Sequence, residues 1–159
     1  MPFRERDMNV SPEPLSVREW PFYCATFHLA VRWYANHSSQ ELFYFLTAMR
    51  PEWPYQSNDP GNWLEWLELA DTANGQSDPG DPMFDRQFDI ATKYVAKWAS
   101  RDLASRPGVR ALAAAMSGDD STARDLKSFW IQQVRRTAAE PRAMGGAYSF
   151  SEPPADAGA

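Results

Sequence analysis

The residues whose types could do chemistry are few. Cys24 and His28 stand four apart, which places both on one face of a helix. That spacing suits a thiolate–imidazole pair or two ligands of a metal. Both residues, however, stand among Trp20, Phe27 and Val31, where a thiol behaves as a small hydrophobe. No second Cys–His pair exists to complete a four-ligand zinc site. The pair therefore reads as core, and His37 as a loop residue beside a helix start. Asp85 with Asp89 and Glu65 with Glu68 share helix faces, and Asp119-Asp120 with Asp125 gathers three acids. Paired carboxylates can serve acid–base work or hold a cation. No Glu-x-x-His accompanies them, as it would in a di-iron bundle, and acids at a helix start are what capping and the helix dipole favour. Phosphate loops, G-x-S-x-G, H-E-x-x-H and G-x-G-x-x-G are all missing from the chain. The sequence thus assigns no catalytic residue, no metal ligand and no cofactor.

The groups suited to recognition are more conspicuous. Seven tryptophans are a heavy load for one small interior. Trp20 and Trp33 fall on different helix faces, so some rings are expected at a contact surface, where Trp and Tyr are enriched. Pro51-Glu-Trp-Pro-Tyr55 holds Trp53 and Tyr55 between prolines that restrict the backbone. Such a loop either presents its rings outward at little entropic cost or folds back as a lid. Gly146-Ala-Tyr-Ser-Phe150 alternates small and aromatic residues, which makes Tyr148 and Phe150 candidates for adding as a strand or hooking onto a neighbour. Arg124, Lys127 and Arg135, with Arg136 nearby, lie off the apolar stripe of the last helix. They form a candidate contact for phosphates or an acidic protein face, against the plainer reading of a solvated helix face.

The elements that position these groups follow from periodicity and punctuation. Trp20, Cys24, Phe27, Val31 and Tyr34 predict a helix over about 19–36, with Pro21 in its first turn. Phe22, Leu29 and Trp33 cover a second face, so this helix is expected to be central. Ser38-Ser-Gln-Glu41 reads as a capping box opening a helix that Pro51 stops. Asn62 is the expected cap of the next, whose inner stripe is Trp63, Trp66, Leu67 and Ala70 and which ends at Asn74-Gly75. Asp81-Pro82 starts a helix that carries Phe84, Phe88, Ala91, Val95 and Trp98 to about Ala104. A short helix spans 109–116. The last is capped by Asp120 or Ser121 and carries Leu126, Trp130, Val134 and Ala138 to Pro141. No β-hairpin signal or internal repeat occurs. The expectation is an all-α fold: a compact bundle of five or six helices over residues 16–140, an extended arm over 1–15, and a disordered or partner-bound tail over 141–159.

Composition bounds the rest. A chain of 159 residues, 43% hydrophobic, suits one domain with a proper core. No apolar run approaches a bilayer span, and the mixed charge of Met1–Asp7 does not read as a secretory signal. With a lone cysteine, the expectation is a cytoplasmic, reducing setting. The net charge of −5 is unevenly spread. Residues 38–80 carry Arg50 against seven acids, whereas residues 106–140 carry six basic groups against four acids. An acidic middle argues against broad nucleic-acid binding by that region and suits a basic partner.

A four-helix core with an early Trp20-Pro21, one cysteine and a Tyr148-Ser-Phe-Ser151 tail is similar in layout to coat proteins of rod-shaped plant viruses. The resemblance implies a helical coat or nucleoprotein subunit that assembles on nucleic acid. The residues themselves favour a different reading. It is a non-enzymatic interaction or assembly module, either self-associating or a small acidic inhibitor or adaptor whose partner is another protein. A helical enzyme with a site assembled from scattered carboxylates is a third possibility.

Overall fold

The computed structural model describes residues 14–76, 83–101, 107–146 and 148–153. Among them are six α-helices: α1 (Leu15–Tyr34), α2 (Gln40–Met49), α3 (Pro60–Gln76), α4 (Met83–Ser100), α5 (Pro107–Ser117) and α6 (Ser121–Ala139). A two-stranded antiparallel ribbon, β1 (Pro51–Glu52) and β2 (Gln56–Ser57), lies between α2 and α3, and a 3-10 turn (Pro141–Ala143) follows α6. The fold is the expected all-α bundle. The expected arm, over 1–15, and the Asp81-Pro82 helix start fall almost wholly outside the described residues.

α1 is the central helix, because it is apolar on most sides. Trp20, Tyr23, Cys24, Phe27 and Leu29 are fully buried, and α6 packs along it more extensively than any other element. The helix begins at Leu15, four residues before the periodic pattern does. Pro21 is therefore interior and not in the first turn. Proline has no N–H, so the carbonyl of Val17 loses its ordinary partner one turn on.

Several starts and stops differ from the local signals. Ser39, not Ser38, caps α2; it is extended, and its Oγ accepts from the Leu42 N–H at 3.2 Å. The Pro51–Gly61 loop contains the ribbon, and its backbone serves the end of α2. Asn58 N–H donates to the Arg50 carbonyl at 2.9 Å and Asp59 N–H to that of Ala48 at 3.0 Å. These bonds satisfy carbonyls that a helix end leaves without partners. Asp59 also caps α3, accepting from the Gly61 N–H at 3.0 Å. The expected cap, Asn62, is instead buried. Its Oδ1 accepts from the Tyr94 hydroxyl at 2.7 Å and the Trp98 indole at 2.8 Å. Asp120 caps α6 as expected, accepting from Ala123 N–H at 3.0 Å.

The tryptophans correct the expectation of surplus rings at the surface. Trp20, Trp63, Trp66, Trp98 and Trp130 are buried, and Trp33 and Trp53 are partly buried against the same core. Four of the buried indole N–H groups find partners brought from far along the chain, whereas that of Trp33 is buried with no hydrogen-bond partner among the described residues. Trp20 donates to the Pro141 carbonyl at 2.9 Å, Trp66 to Glu19 at 3.1 Å and Trp130 to Thr26 Oγ1 at 3.0 Å. The rings also pack edge to face, as between Trp20 and Trp63 with centroids 5.5 Å apart.

Among the described residues no helix is long and apolar enough to cross a membrane.

Candidate functional site

The groups that first suggested catalysis are engaged elsewhere. Cys24 is fully buried, and burial pushes its thiol well above the usual value, so it is neutral at pH 7. His28 holds its proton on Nε2 and donates to the Met144 carbonyl at 2.8 Å, since a carbonyl can only accept. Burial lowers the His28 pKa, partly opposed by that hydrogen bond. Asp85 pairs with Lys127, Asp89 with Lys93 at 2.9 Å, and Glu65 with Arg101. No three acidic, histidine or cysteine groups among the described residues converge as a cation site.

A cleft of about 380 Å³ opens where the N-terminal half of α1, the start of α4 and the end of α6 meet. Its floor is apolar and includes Val17, Pro21, Phe22 and Val134. Pro21 suits that floor because its ring presents apolar surface where another residue would carry an N–H. The tip of the ribbon supplies Tyr55. This residue has φ 55°, a left-handed conformation that costs an L-residue roughly 1–2 kcal/mol. Packing of its ring holds it: the Tyr55 centroid lies 5.5 Å from Trp20 and 4.8 Å from Trp53. Met83, half exposed, forms one lip. Two arginines flank the opening. Arg18 is exposed on α1, and Arg135 of α6 lies over the Phe84 ring at 5.6 Å. The cleft thus combines an apolar floor with two cations, one of them steadied on an aromatic face.

Beneath α1 sits a buried carboxylate that the sequence reading passed over. Glu19 accepts from the Gln87 amide at 2.9 and 3.1 Å and from the Trp66 indole, with Arg18 3.9 Å away. Burial raises its pKa, and the hydrogen bonds from Gln87 and Trp66 oppose the shift. Its place beside Trp20 and one turn before Tyr23, both fully buried, was the only signal that could have marked it.

The structure brings together some of the residues singled out by sequence and separates others. Tyr55 and Arg135 meet in the cleft. Trp53 lies beside it, partly buried, edge-on to Trp20 at 6.1 Å, with the Arg142 guanidinium 5.9 Å above its ring. Tyr148 and Phe150 lie together at the far end of α1, with Phe27 4.7 Å from the first and 6.0 Å from the second. The α6 cations do not converge. Arg124 donates to the Asp119 carbonyl at 3.0 Å, Lys127 pairs with Asp85, and Arg136 lies alongside Gly146, away from Arg135. Arg18, Met83 and the kink-prone Pro21 were missed, because only tertiary packing places them beside Tyr55.

The expected break at residue 141 is not a break in packing. The Trp20 indole holds Pro141, His28 holds Met144, and the Tyr34 hydroxyl donates to the Ser151 carbonyl at 2.6 Å. A Gly-, Ala- and Ser-rich stretch reads as unfolded because it has little to bury. Here two rings and donors on α1 seat its described residues, 141–146 and 148–153.

No family model, no characterised protein and no solved structure matches this chain.

Proposed function

We propose that this chain is a non-enzymatic interaction module that engages a partner protein, or another copy of itself, through the cleft between α1, α4 and α6. One observation carries the reading: Tyr55 and Arg135, singled out independently, meet in a single apolar depression flanked by a second arginine, Arg18. A depression of about 380 Å³ suits one or two apolar side chains of a partner and is at the small end for a cofactor-sized ligand. The flanking guanidiniums add preference for a carboxylate beside those side chains, since a charged rim steers encounter and sets specificity. The binding segment is therefore apolar with an adjacent acid. Assembly on nucleic acid draws less support, because the α6 cations face different ways and Lys127 is committed to Asp85. The neutral thiol of Cys24 and the cation-paired carboxylates likewise weigh against chemistry at those groups.

The test is capture from the native source with tagged full-length protein, read by mass spectrometry, beside Arg135→Glu and Tyr55→Ala. A partner retained by the parent should fall about tenfold or more with Arg135→Glu, in line with losing a hot-spot arginine. Light scattering reads the alternative of self-association in the same samples. Identical partners and identical size for parent and Arg135→Glu would overturn the cleft reading.

A further inference from the structure

The segment after α6 lies on α1 as a bound peptide lies on its receptor. Three side-chain donors on one broad face of α1 read main-chain carbonyls in chain order: Trp20 takes Pro141, His28 takes Met144 and Tyr34 takes Ser151. Between Trp20 and Tyr34 the helix advances about 21 Å, and the segment follows it in the same direction. Two rings anchor the far end. Phe150 packs edge-on to Phe43 of α2 at 5.9 Å and to Tyr34 at 6.3 Å, and Tyr148 packs on Phe27 and His28. Gln40 of α2 donates to Glu152 at 3.3 Å. Among the described residues, no backbone–backbone hydrogen bond ties 148–153 to the body. The seating is also incomplete: a hollow of about 430 Å³ remains between Tyr148–Phe150 and Phe43 and Thr47 of α2, with Arg50 just beyond that helix. The turn into the segment is built on Met144, Gly145 and Gly146, all at positive φ. Gly145 is required there, because a Cβ would stand 2.8 Å from the His28 ring.

We propose that the groove between α1 and α2 is a peptide-binding site for the Tyr148-Ser-Phe150 segment, filled in cis by the chain's own residues and open in trans to the same segment of a second copy. The chemistry of recognition makes the second copy the occupant. The donors read carbonyls at set spacing and the groove takes two rings two residues apart, and a second copy carries that identical ligand. Release from the cis position breaks side-chain contacts and no strand pairing, and exchange of an identical element is a low-cost route to association. The cis segment competes at a high effective concentration, so trans binding is masked until the cis copy is loosened. This site lies at the other end of α1 from the cleft, and it stands or falls independently of it.

The experiment uses the full chain and a fluorescein-labelled peptide of residues 144–153, read by anisotropy. Tyr148→Ala/Phe150→Ala in the full chain loosens the cis segment. It should capture the peptide about tenfold or more tightly than the parent does, and a peptide lacking both rings should bind neither. Arg135→Glu should leave capture unchanged. If the double variant does not fold by circular dichroism, Gly145→Ala replaces it; its Cβ would stand 2.8 Å from the His28 ring, so it should loosen the cis turn while leaving every groove side chain in place and give a smaller gain in the same direction. Light scattering should show the parent monomeric at low concentration and dimeric only toward the top of a concentration series, where a second copy competes with the cis segment, and the double variant should show no such rise. A folded variant that binds the peptide no better than the parent overturns the site. Capture with a parent that stays monomeric throughout overturns exchange between copies.

Discussion

Replacing Trp53 by alanine separates a ring clamped inward from one offered to a partner. Full truncation of a buried tryptophan costs about 3–5 kcal/mol. Trp53 is only partly buried, so the transfer contribution is smaller, but its contacts are specific. Its ring stands edge-on to the fully buried Trp20 at 6.1 Å and tilted against Tyr55 at 4.8 Å, with Arg142 above it. Aromatic pairs add about 0.5–1.5 kcal/mol each beyond area. Discounting for partial exposure and for collapse of Tyr55 into the gap, the expected loss is about 2–3 kcal/mol. In a domain of this size that lowers Tm by roughly 5–10 °C. Urea unfolding should be followed by far-ultraviolet circular dichroism, because the substitution removes a fluorophore. The m-value should stay constant, so that the change in midpoint reports stability alone. The folded variant should retain partner capture, since Trp53 stands beside the cleft and not in it. A loss below about 0.5 kcal/mol, within the range of ordinary surface substitutions, would show that the ring is not clamped and refute the lid.

Two further substitutions probe the buried polar groups. Asn62→Ala removes the acceptor shared by Tyr94 and Trp98, so two buried donors each lose a hydrogen bond. At about 0.5–1.5 kcal/mol per lost hydrogen bond, denaturant melts should show a loss of roughly 1–3 kcal/mol, and a loss under about 0.5 kcal/mol would mean that water replaces the amide. Burial holds the folded pKa of Glu19 above the ordinary carboxyl value of 4.5. Its contribution is therefore fully present below pH 4.5 and is lost as pH rises through the folded value. Glu19→Gln removes that dependence, and the new amide can donate to Gln87 Oε1, which has no hydrogen-bond partner among the described residues. The stability difference, variant minus parent, should grow from pH 4 to pH 8, and a difference that shrinks over that range would reverse the assignment.

The helices were legible because their signals are local. An apolar residue every three or four positions, a proline or glycine at several helix ends and Asp120 before α6 all act within a few residues of one another. What depends on partners distant in sequence was not legible. Ser38 and Ser39 are both competent caps, and the close approach of α5, with Gly108 against Ser39, accompanies the choice of the second. Asn62 has the residue type and position of a cap, yet two donors from α4 claim its side chain. The tail looks unfolded by composition, because its groove is assembled from α1 and α2 more than a hundred residues earlier.

The same distinction governs the candidate sites. Sequence alone determined that the chain is all-α, that α1 is central and that Tyr55, Arg135, Tyr148 and Phe150 are of types suited to recognition. Tertiary structure alone decided that Tyr55 and Arg135 share a cleft, that Arg124, Lys127 and Arg136 do not join them, and that the seven tryptophans belong to the core or its edge. The physical reason is range. Helix propensity, periodicity and capping are settled by neighbours along the chain, whereas burial of a ring or a charge depends on which distant group arrives to meet its polar atom.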